Sequence, residues 1–224
     1  MKLRSTAHAR WAVCAVAWVL LAGCATPRPA EPPADNPLRQ ARPRSILVLP
    51  PLNHTPEVNA GAGVLSRASF PLAESGYYVF PVAAVDETFK HNGITTAADA
   101  QAVSPARLRE IFGADAALYL DVREYGAIYT VIRSDVIVTI DAKLVDLRTG
   151  EPLWTGRASA SSAEGQNNGG GLLGMLLTAA INQIVNTLSE SSVQISEVAN
   201  YRLLASGRRG GLLYGPRSPH YGSD

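Results

Sequence analysis

The sequence predicts an α/β fold: a single domain with a mixed sheet, an antiparallel C-terminal hairpin and helices packed on it. Three observations carry this. Ser45–Pro50 is a short, fully apolar run bounded by proline, as a buried strand requires. Strand-like and helix-like stretches then alternate along the chain. Finally, Val136, Val138, Ile140, Ala142 and Leu144 alternate with Ile137, Thr139, Asp141 and Lys143. That period of two puts one apolar face on a core and a more polar face towards water.

The amino terminus stands apart from this domain. Lys2, Arg4 and Arg10 form a basic region, and the apolar run Trp11–Ala22 falls short of the ~20 residues that span a bilayer. Leu21-Ala22-Gly23-Cys24 follows directly. Small residues ahead of a cysteine, straight after such a run, fit a bacterial lipoprotein signal: 1–23 would be removed and Cys24 acylated. Ala25, not aspartate, follows the cysteine, which favours export to the outer membrane. With Cys14 lost and Cys24 carrying lipid, no thiol remains for a disulfide or a metal.

Loss of Lys2, Arg4 and Arg10 leaves 17 of the 20 basic side chains against 19 acidic, which does not suggest nucleic acid as a partner. Residues 24–43 hold Pro27, Pro29, Pro32, Pro33, Pro37 and Pro43 and few large apolar groups. They read as an extended tether of at most roughly 60 Å, at ~3.1 Å per residue. The α/β domain is expected over 44–206 and a Gly/Pro-rich tail over 207–224.

Within the domain, Val64, Ala68 and Leu72 are spaced by four as on a helix face, with Pro71 set to kink or restart it and Gly76 to close it. Tyr77–Pro81 is the second strand and Asp86–His91 a short helix. Ser104-Pro105 is a helix start, serine capping and proline first, with Leu108, Ile111 and Phe112 inward and Gly113 terminating. Ala116–Val122 is the third strand, extending towards Ile132. The hairpin spans Asp135–Ser162; Asp146 and Gly150 supply its turn chemistry. After a Gly-rich loop come helices over Leu172–Leu188 and Ser192–Leu204.

SILVLPPLNHT, GYYVFPVAAVDETFK, LREIFGADAALYL, AKLVDLRTGEPLWTG and LLYGPRSP together resemble a family of proteobacterial lipoproteins built on a domain of unknown function. The likeness covers Ser45–Pro219. Gly113-Ala114-Asp115 and Leu144–Gly150 also make the element order look like the curli-secretion lipoprotein CsgG and the amino-terminal domain of TolB, at the level of fold. The resemblance implies an envelope lipoprotein with protein partners, among them a CsgG-like lipoprotein, or a homo-oligomer. It brings no catalytic residues.

The chemistry-bearing residues support few enzymatic readings. Gly169–Gly174 matches G-x-G-x-x-G but lacks the preceding strand and βαβ unit that a dinucleotide site needs. Asp86, Glu87, Lys90 and His91 have the spacing of a solvated helix face with i,i+4 pairs. His54, His91 and His220 are scattered and form no zinc motif, and G-x-S-x-G is absent. Asp115 reads as a polar strand terminus, and Asp121 and Arg123 lie opposite Leu118, Leu120 and Val122 on a wet or docked face.

Two segments offer partner-binding residues. Leu172 and Met175 lie beyond the core stripe of their helix, which is then either buried on both sides or exposes a patch to a partner or to the bilayer surface. Leu212, Leu213 and Tyr214 sit among glycines and either pack on their own domain or enter another subunit's groove. The sequence thus points to a non-enzymatic, lipid-anchored, protein-binding component of an outer-membrane assembly or export system on the periplasmic face, with no cofactor and no metal. The runner-up is a CsgG-like secretion-pore subunit, for which Tyr119–Ile132 and Asp135–Leu147 are long enough to span a membrane as strands. A periplasmic hydrolase using Asp86, His91 or Asp115 ranks last.

Overall fold

Apolar Ser45–Val48 becomes β1, with parallel neighbours on both sides: β3 (Tyr78–Val79) and β4 (Ala116–Tyr129). The computed structural model describes residues 36–129, 134–165, 188–208 and 210–224, within a unit running from Ala34 to Asp224. β5 (Ser134–Asp146) pairs antiparallel with β4, and β6 (Pro152–Ser161) antiparallel with β5. The order β3-β1-β4-β5-β6 is an open mixed sheet, not closed into a barrel. A two-residue strand, β2 (Leu52–Asn53), lies parallel to β4 with Leu52 opposite Asp121. The hairpin's period-two pattern is realised: Val136, Val138, Ile140 and Leu144 are buried together.

Among the described residues six α-helices cover the sheet: α1 (Pro37–Ala41), α2 (Ala60–Glu74), α3 (Val82–His91), α4 (Ala97–Ala102), α5 (Pro105–Phe112) and α6 (Leu188–Leu204). On one face, Val64, Ala68 and Leu72 of α2 and Ile195, Ala199 and Leu203 of α6 pack on the apolar residues of β1, β4 and β5. On the other, Val85 and Phe89 of α3, Ala100 of α4 and Leu108 of α5 pack on Leu47, Leu49 and Ala117. β1 is therefore buried on both sides, which is why its sequence is apolar without alternation. Asn200, wholly buried, joins the two helices of the first layer by donating Nδ2 to Val64 O at 3.1 Å.

Several elements differ from the sequence reading. Residues 37–41 are helical, not extended: Asn36 Oδ1 accepts from Leu38 N at 3.0 Å, Pro37 opens the turn, and Leu38 is buried in the main core. α2 runs unbroken through Pro71, which forfeits only its own N–H near the helix end while Leu72 anchors the last turn. α3 starts at Val82, four residues early. α4 is additional, opened by Thr96, whose Oγ1 accepts from Asp99 N at 3.1 Å and donates to Asp99 Oδ2 at 2.7 Å. Gly113 ends α5 as expected, in the left-handed region at φ 68°.

The tail folds onto its own domain. Leu212 is 1 % exposed within the main core. Tyr77 Oη and Ser206 Oγ both donate to Leu213 O at 2.7 Å, and Trp154 Nε1 donates to Gly210 O at 2.8 Å. Burial pushes the Tyr77 phenol well above the usual tyrosine range.

Candidate interaction surface

The face of β4–β6 opposite α2 and α6 is covered by α3, α4 and α5 only at the β1 side. Further out, no helix among the described residues lies over it. Period-two alternation delivers polar side chains there from each strand: Tyr119 and Asp121, then Thr139, Asp141 and Lys143, then Thr155, Arg157 and Ser159. Register sets the pairs. Asp141 lies opposite both Asp121 and Arg157, and Thr139 opposite both Glu124 and Ser159.

A bulge in β4 completes the set. The pairing steps from Val122 opposite Ile140 to Glu124 opposite Thr139, leaving Arg123 as the extra residue. Neighbours on a regular strand point to opposite faces, but a bulge lets two successive side chains share one. Arg123 Nε donates to Asp141 Oδ2 at 2.8 Å, and Glu124 accepts from Thr139 Oγ1.

Asp141 is the centre of this network. Arg157 donates to it twice, through Nε to Oδ1 and through Nη2 to Oδ2 at 2.7 Å, and Arg123 adds the third bond. Arg157, then Arg123, hold the carboxyl at about 2 against the opposing effect of its partial burial. Asp121 adds a contact of 3.2 Å to Arg123 and one of 3.5 Å to His54 Nε2. His54 is positioned by its N–H, which donates to Val122 O at 3.0 Å as β2 ends. The outcome is a mosaic of paired charges and hydrogen-bonded hydroxyls on the sheet face.

Among the described residues β6 is an edge strand. At its far end the outward backbone is occupied: Arg202 Nη1 donates to Ser159 O at 2.8 Å, and Ser161 N donates to Glu164 Oε1 at 3.1 Å. Arg202 and Glu164 also pair with each other at 2.6 Å. Such charged cover discourages uncontrolled strand addition.

The residues singled out in the sequence fall in different places. Cys24, Leu172, Met175 and the Gly169–Gly174 run lie outside the described residues. Leu212 belongs to the core, and Leu213 and Tyr214 are half-buried against it. Asp86 pairs with Lys90, and Glu87 with His91, as exposed i,i+4 pairs on α3. Asp115 serves the fold: its Oδ2 accepts from Arg44 N at 2.9 Å, Ser45 N and Ser45 Oγ, joining the starts of β1 and β4. Among the described residues no group of three His, Cys, Asp or Glu is placed to hold a metal. Arg157 and Asp141 carry no motif; their signal in the sequence is the in-register polar positions of the two hairpin strands.

The matched sequence family is described as "Putative lipoprotein GNA1162-like" and spans residues 35–217. The chain belongs to the GNA1162-like lipoprotein family. A relative from Neisseria meningitidis serogroup B, described as "Putative lipoprotein NMB1124/NMB1162", is 51 % identical over 180 residues, covering 80 % of this chain and 83 % of the relative. The crystal structure of lipoprotein GNA1162 from Neisseria meningitidis is 52 % identical, with a TM-score of 0.53, over 65 % of this chain and all of the other. A PelC dodecamer from Paraburkholderia phytofirmans, 16 % identical at a TM-score of 0.43, covers 75 % of this chain and 91 % of the other; a likeness at that level carries no functional inference. GNA1162-like membership sets the chain in the envelope as a membrane-anchored lipoprotein. No helix among the described residues is long and apolar enough to cross a membrane.

Proposed function

We propose that this GNA1162-like protein is a non-enzymatic component of an outer-membrane assembly or export system, acylated at Cys24 and working on the periplasmic face. In this reading it binds another protein through the open face of β4–β6. One observation carries it: a preorganised, charge-paired sheet face left uncovered by the described helices in a lipoprotein. Fixed pairs such as Asp141–Arg157 select a partner by electrostatic complementarity more than by raw affinity. Leu172, Met175, Leu213 and Tyr214 remain candidates for a second contact, while Leu212 stays in the core.

The test places a photo-cross-linking residue at Thr155 or Lys143 in cells. One protein of fixed mass should be captured from both positions and lost on Asp141→Lys. Capture of nothing from either, with the protein present and folded, overturns the reading. Cys24→Ala should abolish the acyl mass and release the protein from the membrane fraction.

The alternative, a CsgG-like pore subunit, needs strands of about nine to eleven alternating residues. β4 and β5 have 14 and 13. Their apolar alternates pack under α2 and α6, so the pore form would have to lift both strands from the core. Ion conductance across planar bilayers distinguishes it.

A further inference from the structure

The chain passes from α1 into the sheet through a concentration of arginines. Arg42 turns it with a left-handed backbone, φ 47° and ψ 54°, which is uncommon outside glycine. Arg42 and Arg44 then line a cleft of about 270 Å³ with Arg109 of α5, Arg148 of the β5–β6 turn, Asp115 and Asp146. These residues are far apart in sequence, and only Ala41 and Pro43 add apolar lining.

The two carboxylates are spoken for. Asp115 Oδ2 holds the starts of β1 and β4, and Asp146 Oδ1 accepts from Arg148 N at 2.7 Å and Thr149 N at 3.2 Å within its turn. Arg148 alone of the four arginines reaches a carboxylate, Asp146 Oδ2, at 3.6 Å. Arg42, Arg44 and Arg109 make no ion pair with a described residue. Four guanidinium groups against two engaged carboxylates leave the cleft cationic, with planar forks suited to phosphate oxygens.

We propose that this cleft docks on the phosphate headgroups of an acidic membrane surface, holding the domain against the bilayer that carries its anchor. The proposal rests on acylation at Cys24. Arg42 lies 18 residues beyond that cysteine, a reach of at most about 60 Å. The anchor therefore keeps the cleft at high effective concentration beside headgroups, where each arginine near the surface contributes to attraction that salt screens.

The test uses the acylated protein in vesicles of phosphatidylcholine alone or mixed with phosphatidylglycerol, with the acyl mass on Cys24 checked first. Backbone amide exchange around Arg42–Ser45 and Arg148–Gly150 should slow only with phosphatidylglycerol, and the effect should vanish at high salt. The docked-to-undocked ratio should fall about fivefold per arginine in Arg44→Gln and Arg109→Gln. Arg107→Gln, on the same helix but outside the cleft, should change it little. Equal exchange in both vesicles, with the acyl mass present, overturns the docking. Protection by inorganic phosphate without any from vesicles overturns the membrane source and leaves a free-oxyanion site. The full chain carrying Cys24→Ala separates the two readings: it should leave the membrane fraction, while weaker protection of Arg42–Ser45 by phosphatidylglycerol vesicles that the Arg44→Gln/Arg109→Gln variant lacks supports docking whatever the state of the anchor, and protection unchanged in that variant overturns it.

Discussion

Gly215 meets Gly76 backbone to backbone: a Cβ at 215 would come within 2.6 Å of the carbonyl carbon and oxygen of Gly76. Gly215 N donates to Ser75 O at 2.7 Å and Arg217 N to Gly76 O at 3.0 Å. Gly76 is also where α2 ends, at φ 94°, with Tyr77 N donating back to Leu72 O at 3.2 Å. One pair of glycines thus closes a helix and seats the tail.

Gly215→Ala should therefore destabilise the domain by about 1–3 kcal/mol, the range for forcing an extra carbon into a filled space. Urea unfolding measures the loss. Proteolysis should cut near residue 215 at protease concentrations that spare the wild type.

Leu212→Ala and Arg157→Ala should separate folding from recognition. Leu212 fills the main core, so its truncation should cost about 2–5 kcal/mol. Arg157 is exposed at the sheet face, so its loss should move stability far less. Thermal melts give the first comparison, and capture from Thr155 gives the second, where Arg157→Ala should be the impaired variant.

Asp141 predicts an acid dependence. Its folded carboxyl is lowered from 3.8 to about 2 by Arg157 and Arg123, so its contribution is fully present above the unfolded value and lost as pH falls through the folded one. The stability difference between wild type and Asp141→Asn should hold steady from neutral pH down to about 5 and close between about 4 and 2. Solvent screening limits it to roughly 1 kcal/mol. Urea titrations of both proteins across that range check the sign.

Tyr77→Phe should cost about 1 kcal/mol, the worth of a typical hydrogen bond. Leu213 O keeps its bond from Ser206 Oγ, which limits the loss. Because burial pushes the Tyr77 phenol up, the alkaline absorbance titration of Tyr77→Phe should lack a late component and match wild type in its early part.

How far the residues foretold this depends on the range over which each signal acts. Ser104 and Pro105 announce α5, and the alternation from Val136 to Leu144 announces β5, because caps and pleats are set by adjacent residues. Thr96 and Asp99 carried an equally local signal for α4, a threonine cap with an acid three residues on, and Asn36-Pro37 one for α1. β2 could not be foreseen, since two residues become a strand only when β4 is already beside them.

By itself, the sequence determined the α/β class, the hairpin, the lipoprotein resemblance and the scarcity of catalytic constellations, all of which rest on short-range pattern or motif. The tertiary structure decided what each polar residue does. It set Asp141 between Arg123 and Arg157 through register and one bulge, turned Asp115 and Asp146 to backbone duty, and drew Arg42, Arg44, Arg109 and Arg148 around one cleft. Periodicity gives a side chain its face, but which distant residue it meets depends on how the strands and helices close on one core.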